Sequence, residues 1–164
     1  MRTVRDWCTL CRVTAPIPYV MRAARPADYD AIAAVVDDWW GRPVLPSLPR
    51  LFLDHFHRTS LVVEGPHRLS AFLVGFVSPS EPDQAYVHFV GVHPGARKSG
   101  LAAALYDRFF QIAREHDRRV VKAITSPVNQ ASILFHQRLG FTVGGPVPGY
   151  NGPGHDLVTF ERRI

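Results

Sequence analysis

The stretch VGVHPGARKSGLA, residues 90–102, decides the fold of this chain. The residues that lead into it are β-branched and aromatic, which predicts a strand, and the apolar period over 101–116 predicts a long amphipathic helix. The first N–H groups of such a helix have no partner within the helix, and its dipole favours negative charge there. Gly100 removes a side chain where a phosphate would approach, and Arg97 and Lys98 add positive charge. The segment therefore predicts a cradle for a pyrophosphate group.

The cradle has a simpler alternative. The segment lacks the glycines of the G-x-x-x-x-G-K-[ST] and G-x-G-x-x-G nucleotide motifs. An ordinary strand–turn–helix unit with a basic surface loop would show the same residues. Taken alone, the segment leaves both interpretations open.

Composition places the chain among small globular proteins. It has 164 residues, of which 46% are hydrophobic and 20% charged, the balance of one domain with a buried core. The chain contains no apolar run of the ~18 residues that a membrane span needs. Arg and Asp interrupt its first twenty residues too often for a secretory signal. We expect a cytoplasmic protein without a membrane partner.

The positive charge could indicate a nucleic-acid binder, which is a weaker hypothesis about the function. The net charge is +5 and nearly all cationic residues are Arg, but they are scattered along the chain. Because no basic block alternates with aromatic residues, we expect no nucleic-acid partner.

The chain divides into residues 1–20, an expected flexible extension, and a single domain over 21–164. The extension contains one C-x-x-C pair, Cys8 and Cys11, which cannot complete a four-ligand zinc site, so we expect no metal. Helical and strand patterns alternate through the domain, which predicts one sheet of the α/β or α+β class. The predicted strands are 20–24, 61–64, 69–77, 85–93, 120–125, one beginning at 141–143, and 156–161; the predicted helices are one that begins at 26–28 and continues to Trp39, then 51–57, 101–116 and 130–139.

Two motifs in this order carry a family resemblance. V-x-x-x-x-R-x-x-G-x-A over residues 92–102 resembles the acyl-CoA-binding motif of the GNAT acetyltransferase superfamily, and NQASILFHQRLGF over 129–141 resembles its second motif. The resemblance covers about 21–164. It implies an α+β, three-layer fold: a single mixed, largely antiparallel twisted sheet, flanked by helices, whose central strands splay apart.

The resemblance also implies an activity, the transfer of an acetyl group from acetyl-CoA to a primary amine by direct attack in a ternary complex. In the family, acyl-CoA enters the gap between two diverging strands, backbone groups pair with pantetheine, and backbone amides of the cradle hold the pyrophosphate. The corresponding cofactor-binding residues are Val90, Val92, Arg97, Lys98, Ser99, Gly100, Leu101, Ala102, Asn129, Ser132 and Phe135.

Two histidines are the candidate catalytic residues. His136 stands where the family most often has a Tyr that protonates the departing thiolate, and a His can also donate a proton. The alternative is that His136 only packs beside the cofactor. His88 is the candidate base, acting directly or through water with Tyr86 as its neighbour, because the strand over 84–94 has no carboxylate. A structural role for His88 is the alternative.

Strand alternation predicts that Tyr86, His88, Val90 and Val92 share one face of their strand. Glu64 is a less favoured base. A base is needed on this strand because the amine must lose a proton close to the thioester carbon.

The acceptor wall is predicted between the first two helices, at Trp39, Trp40 and Arg42. Two adjacent aromatic residues cannot both lie on one narrow helical stripe, so one of the two tryptophans would face the pocket. The alternative is that one lies in the core and the other covers the loop. The loop over 144–154 is a candidate lid. The acceptor is a small-molecule or peptide amine, and a homodimer is common in such families. The alternative function is a CoA-binding regulatory or interaction module without turnover, because the strand carboxylate and the Tyr are both missing.

Overall fold

Seven strands and five α-helices lie within residues 19–164, the part of the chain that the computed structural model describes. The predicted extension over 1–20, with its Cys8–Cys11 pair, lies outside the described residues except for its last two. The elements are β1 (Val20–Ala23), α1 (Asp28–Ala33), α2 (Val36–Trp40), α3 (Leu51–Phe56), β2 (Leu61–Gly65), β3 (Arg68–Val77), β4 (Gln84–Val92), α4 (Leu101–Glu115), β5 (Val120–Thr125), α5 (Gln130–Arg138), β6 (Thr142–Val147) and β7 (Leu157–Arg163).

The strands form one sheet in the order β1-β2-β3-β4-β5-β7-β6. Every neighbouring pair is antiparallel except β4 and β5, which run parallel. Because the β4–β5 connection runs through α4, the helix crosses one face of the sheet between parallel neighbours, as such crossovers require. The mixed, largely antiparallel sheet implied by the sequence is confirmed.

Each face of the sheet buries its own apolar cluster. The first cluster lies under α4, whose Leu105, Phe109 and Ala113 are completely buried. The second lies under α1–α3 and centres on Phe72 of β3, which is also completely buried. This arrangement of helices on both faces gives the three layers that were expected.

The prediction of one helix that continues to Trp39 is wrong, because two helices, α1 and α2, occupy this stretch. Val35 has φ −125°, outside the helical region, and α2 begins after it at Val36. Ile32 and Trp39, on either side of the break, are both buried in the cluster under α1–α3. The spacing of the apolar residues predicts one continuous helical stripe, although a turn separates the two helices that carry it.

Strands β4 and β5 separate after a short contact. They pair only from Gln84 to Tyr86 on β4 and from Val120 to Lys122 on β5. Strand β4 continues to Val92, so its second half has a neighbour only on the β3 side. The sheet is therefore open between its central strands, as the splayed-strand prediction requires.

Candidate active site

A cleft of about 450 Å³ lies where β4 and β5 diverge. Its walls come from the middle of β4, the end of β5, α4, α5, the loop after α2 and the loop between β6 and β7. Unpaired strand backbone therefore meets polar side chains from five other segments at one place. Such a concave site with converging polar groups is the usual form of a small-molecule site.

A β-bulge at His88 sets the side chains of β4. Val74 pairs with Phe89 and Gly75 pairs with Val87, so His88 has no partner on β3. One extra residue shifts the alternation of the strand by one position.

The prediction that Tyr86, His88, Val90 and Val92 share a face is therefore wrong. Val90 and Val92 pack toward the cluster under α4. His88 instead stacks on Phe52 of α3 with ring centroids 4.0 Å apart. Tyr86 stacks on Phe76, on the α3 side of the sheet. A strict alternation fails here because the bulge inserts a residue between the two pairs.

His88 is held in one orientation at the cleft. Its Nε2 lies 2.7 Å from the carbonyl oxygen of Ser47, which can only accept, so Nε2 carries the proton. Burial lowers the pKa of His88, and the Ser47 bond opposes this shift only in part. The neutral ring therefore has its lone pair on Nδ1, for which the described residues provide no partner. That atom can accept a proton.

Tyr106 and His136 form a buried pair in the wall of the same cleft. His136 is 6% exposed, stacks on Phe160 and has its Nδ1 2.8 Å from the Ser132 carbonyl, so Nδ1 carries the proton. Its Nε2 lies 2.7 Å from the Tyr106 hydroxyl. Burial lowers the pKa of His136 and raises that of Tyr106. Both shifts favour a neutral pair in which Tyr106 donates to Nε2.

The cradle has the geometry of an anion site. The backbone is left-handed at Lys98 (φ 64°) and Gly100 (φ 86°). The first helical hydrogen bond of α4 joins the Ala104 N–H to the Gly100 carbonyl at 3.0 Å, so the N–H groups of the three residues after Gly100 precede it. A Cβ at Gly100 would meet no atom within 4 Å apart from those of its chain neighbours, so the space beside Gly100 at the start of α4 is open.

Side chains around the cradle have structural partners. The guanidinium of Arg97 donates to the carbonyl of Trp39, and the Ser99 hydroxyl donates to the carbonyl of Ala96. Arg97 thus fixes the loop to α2, and Lys98 supplies the cation that has no partner among the described residues. Backbone amides are the groups that this loop offers to a ligand.

Asn129 begins α5 at the edge of the cleft. Its Oδ1 accepts from the Ser132 N–H at 3.1 Å, which caps the helix. The Nδ2 amide of Asn129 has no acceptor among the described residues and can donate to a ligand. Asn129 and Ser132 both line the cleft, whereas Phe135 packs edge-on against Tyr106 in the core.

The two tryptophans of the predicted acceptor wall separate. Trp40 lines the cleft, 5.0 Å from the ring of Phe89, and Arg42 lines it beside Trp40. Trp39 is 7% exposed and packs against Phe72 in the cluster under α1–α3, so it does not reach the cleft. The structure thus places one of the two aromatic rings at the site.

Other predicted site residues lie elsewhere. Tyr86 lines a separate hollow with Lys122 and Tyr150. Glu64 is ion-paired with Arg22 at 2.7 Å on the outer strands. Val92, the last residue of β4, and the cradle lie between the cleft and the start of α4.

Two ionisable residues that line the cleft, Tyr106 and His155, were missed from the sequence, whereas Asn151 lies in the loop over 144–154 that was predicted as a lid. Tyr106 could have been found, because a hydroxyl on the buried stripe of α4 needs a partner. His155 directly follows that glycine-rich loop, where no local pattern marks it.

The chain belongs to the acetyltransferase (GNAT) family, whose model matches residues 29–141. The L-2,4-diaminobutyric acid acetyltransferase of Nocardia farcinica is 31% identical over 83 residues, 51% of this chain and 43% of that protein. The L-amino acid N-acyltransferase MnaT of Escherichia coli is 39% identical over 61 residues, 37% of this chain and 36% of that protein. The matched regions thus span less than half the length of either of these relatives.

The fold is that of solved family members. The YncA protein of Salmonella typhimurium, solved with its cofactor acetyl-CoA, superposes with a TM-score of 0.68 at 24% identity, over 89% of this chain and 94% of that one. Within residues 19–164, every helix is too short or too polar to span a lipid bilayer. In the same part of the chain, no three His, Cys, Asp or Glu side chains cluster as a metal site would require.

Proposed function

We propose that this chain transfers an acetyl group from acetyl-CoA to the primary amine of a small molecule, by direct attack in a ternary complex. The observation that carries this proposal is the gap between β4 and β5, because it leaves one edge of β4 unpaired from the cleft at His88 to Val92, where the strand leads into the cradle. The diaminobutyrate and L-amino acid acyltransferases among the relatives support a small amine as acceptor.

Acetyl-CoA supplies the acyl group as a thioester. The cradle fits its pyrophosphate, since the first N–H groups of α4 have no partner within the helix and the space beside Gly100 is open. The unpaired edge of β4 near Val90 and Val92 offers backbone groups to the pantetheine amides, and the Nδ2 of Asn129 offers a further donor. A backbone N–H of β4 would also stabilise the negative charge that develops on the thioester oxygen.

His88 would act as the general base. Its neutral ring presents Nδ1 to accept the proton that the amine loses when it bonds to the acyl carbon. The Ser47 carbonyl holds the ring and stabilises the imidazolium that results. A covalent acyl-cysteine route has no nucleophile over 19–164, because the two cysteines of the chain are Cys8 and Cys11.

His136 would act through Tyr106 as a positioning residue. Its Nδ1–H is bonded to Ser132 and its Nε2 accepts from Tyr106, so a neutral His136 has no free proton for the thiolate. The geometry therefore supports the packing alternative over the acid that the family resemblance implied. We infer that the thiolate, formed when the carbon–sulfur bond breaks, takes its proton from solvent in the open cleft. The cytoplasmic location and the homodimer stay predictions.

The test follows free thiol release from acetyl-CoA across a panel of amines. The H88Q variant should lose about 10²- to 10⁴-fold in kcat with CoA affinity retained. The control is H55Q, a change at an exposed His of α3 away from the cleft. An H88Q enzyme with full kcat would exclude His88 as base. Tight CoA binding without turnover on any amine would favour the regulatory module.

A further inference from the structure

Charge is distributed very unevenly around the cleft. Among the described residues that line it, Arg42 is the one permanently charged side chain, and Asp and Glu are absent. The other ionisable residues in the wall are Tyr106 and the three histidines His88, His136 and His155. The wall can therefore compensate a negative charge on the acceptor. It has no carboxylate that could pair with a second ammonium group, beyond the amine that reacts.

Arg42 has no competing partner. It is exposed, and its guanidinium makes no ion pair or hydrogen bond with the residues that the structure describes. Arg22 shows the contrast, since it is paired with both Asp28 and Glu64. An unpaired guanidinium at the rim of a cleft is free to bind a carboxylate of the ligand through two parallel hydrogen bonds.

The acids next to the cleft along the chain are bound to the backbone. Asp37 Oδ1 accepts from the N–H groups of Val44 and Leu45 at 2.7 and 2.8 Å. Asp156 Oδ1 accepts from the Gly149 N–H at 2.8 Å. Each of these carboxylates therefore stabilises a loop, and neither lines the cleft.

The loop that carries Arg42 is fixed on both sides. Gly41 ends α2 in the left-handed conformation (φ 64°), and the Arg42 N–H donates to the Asp37 carbonyl at 3.3 Å. The Asp37 carboxylate holds the residues that follow Pro43. Because the backbone is fixed, a ligand that binds Arg42 has to order only its side chain.

We propose that the acceptor is a monoamino carboxylate, a small molecule with one amino group and one carboxylate, and that Arg42 binds the carboxylate while the amine faces His88. This inference rests on the proposed function and specifies its substrate class. A diamino acid, such as the one for which several relatives are named, would bring a second ammonium into a wall without a carboxylate. The cleft therefore selects against diamino acids and polyamines.

The test measures kcat/KM for a panel of L-amino acids, each paired with its carboxamide, together with L-2,4-diaminobutyrate and a polyamine. Monoamino acids should exceed their amides by roughly 10- to 100-fold, the loss expected for a missing charge-assisted contact. The amino group of each carboxamide is less basic than that of the parent acid and so is more often neutral. This difference favours the carboxamides, so it cannot produce a higher kcat/KM for the acids. Diaminobutyrate and the polyamine should be poorer substrates than the best monoamino acid.

Two variants separate a contact at Arg42 from a general charge effect. R42Q should raise KM for the acids by roughly 10- to 100-fold, with kcat nearly unchanged, and leave the amides unaffected. R58Q removes the same charge from an exposed Arg outside the cleft and should change neither.

Equal turnover of acids and amides, preference for diaminobutyrate, or an R42Q enzyme with normal KM would overturn the inference and leave the acetyltransferase function standing. Absence of turnover on every amine, with acetyl-CoA bound, would instead overturn the proposed function and the inference with it.

Discussion

Replacement of Gly100 by Ala tests the cradle. Gly100 has φ 86°, where an L-residue is strained by about 1–2 kcal/mol. Its added Cβ would meet no protein atom within 4 Å, so strain is the main cost to folding. For a chain of this size, about 1–2 kcal/mol lowers Tm by roughly 2–8 °C.

The same methyl group should weaken CoA binding. It would occupy the open space beside Gly100 at the start of α4, where the pyrophosphate is expected. Loss of one charge-assisted hydrogen bond to these groups costs about 1.5–3 kcal/mol, which is roughly 10- to 100-fold in Kd. Calorimetric titration with CoA, well below the Tm of the variant, measures this change.

Gly140 provides the matched control. It has φ 79° and its Cβ would meet Arg162 at an ordinary 3.8 Å, so G140A carries a similar backbone strain outside the cradle. G140A should lose similar stability and bind CoA as the unmodified protein does. A G100A variant with normal CoA affinity, or a G140A variant with equally weakened affinity, would refute the cradle.

The remaining predictions concern the buried pair and the histidines. H136F and Y106F should each lower the free energy of unfolding in urea by about 1–3 kcal/mol, because each leaves a buried polar atom unpaired. The double variant should lose less than the sum of the two, and simple additivity would contradict the pair. Since the pKa values of His88 and His136 are lowered from 6.5, the unfolded chain binds more protons below that pH. Stability should be complete above pH 6.5 and fall by up to about 1.4 kcal/mol per pH unit per histidine as the pH drops toward the lowered values, whereas equal unfolding free energies at pH 7.5 and 5.5 would contradict this.

The elements with a strong local pattern could be predicted from the sequence. The period of α4 and the apolar run of β5 gave bounds within a residue of those observed. The cradle was predictable too, because a strand, a glycine and a helix start determine its backbone locally. Asn129 was expected at the cofactor through the family resemblance, and it lines the cleft as the N-cap of α5.

The side-chain geometry of β4 could not be predicted. Its residues read as a regular alternation, and the bulge at His88 is visible only in the pairing with β3. It lies opposite Gly75, where the ring of Phe109 lies 2.5 Å from the position of a Cβ. Contact between α4 and the sheet is a tertiary property, and no local pattern on β4 reports it.

The surroundings of His136 and Trp39 also could not be predicted from the sequence. The position of His136 in its motif suggested an acid, but Ser132 and Tyr106 occupy both ring nitrogens. Trp39 and Trp40 are neighbours of one type, and only their packing against Phe72 and Phe89 separates them.

The short contact between β4 and β5 divides the sheet into two halves that three residue pairs connect. Strands β1–β4 form one half, and β5, β7 and β6 form the other. Amides on the open edge of β4 therefore lack the protection from hydrogen exchange that an interior strand normally has. A pantetheine chain in the gap would complete the row of backbone hydrogen bonds and couple the two halves mechanically. The cosubstrate would thus behave as a removable strand between the two halves of the sheet.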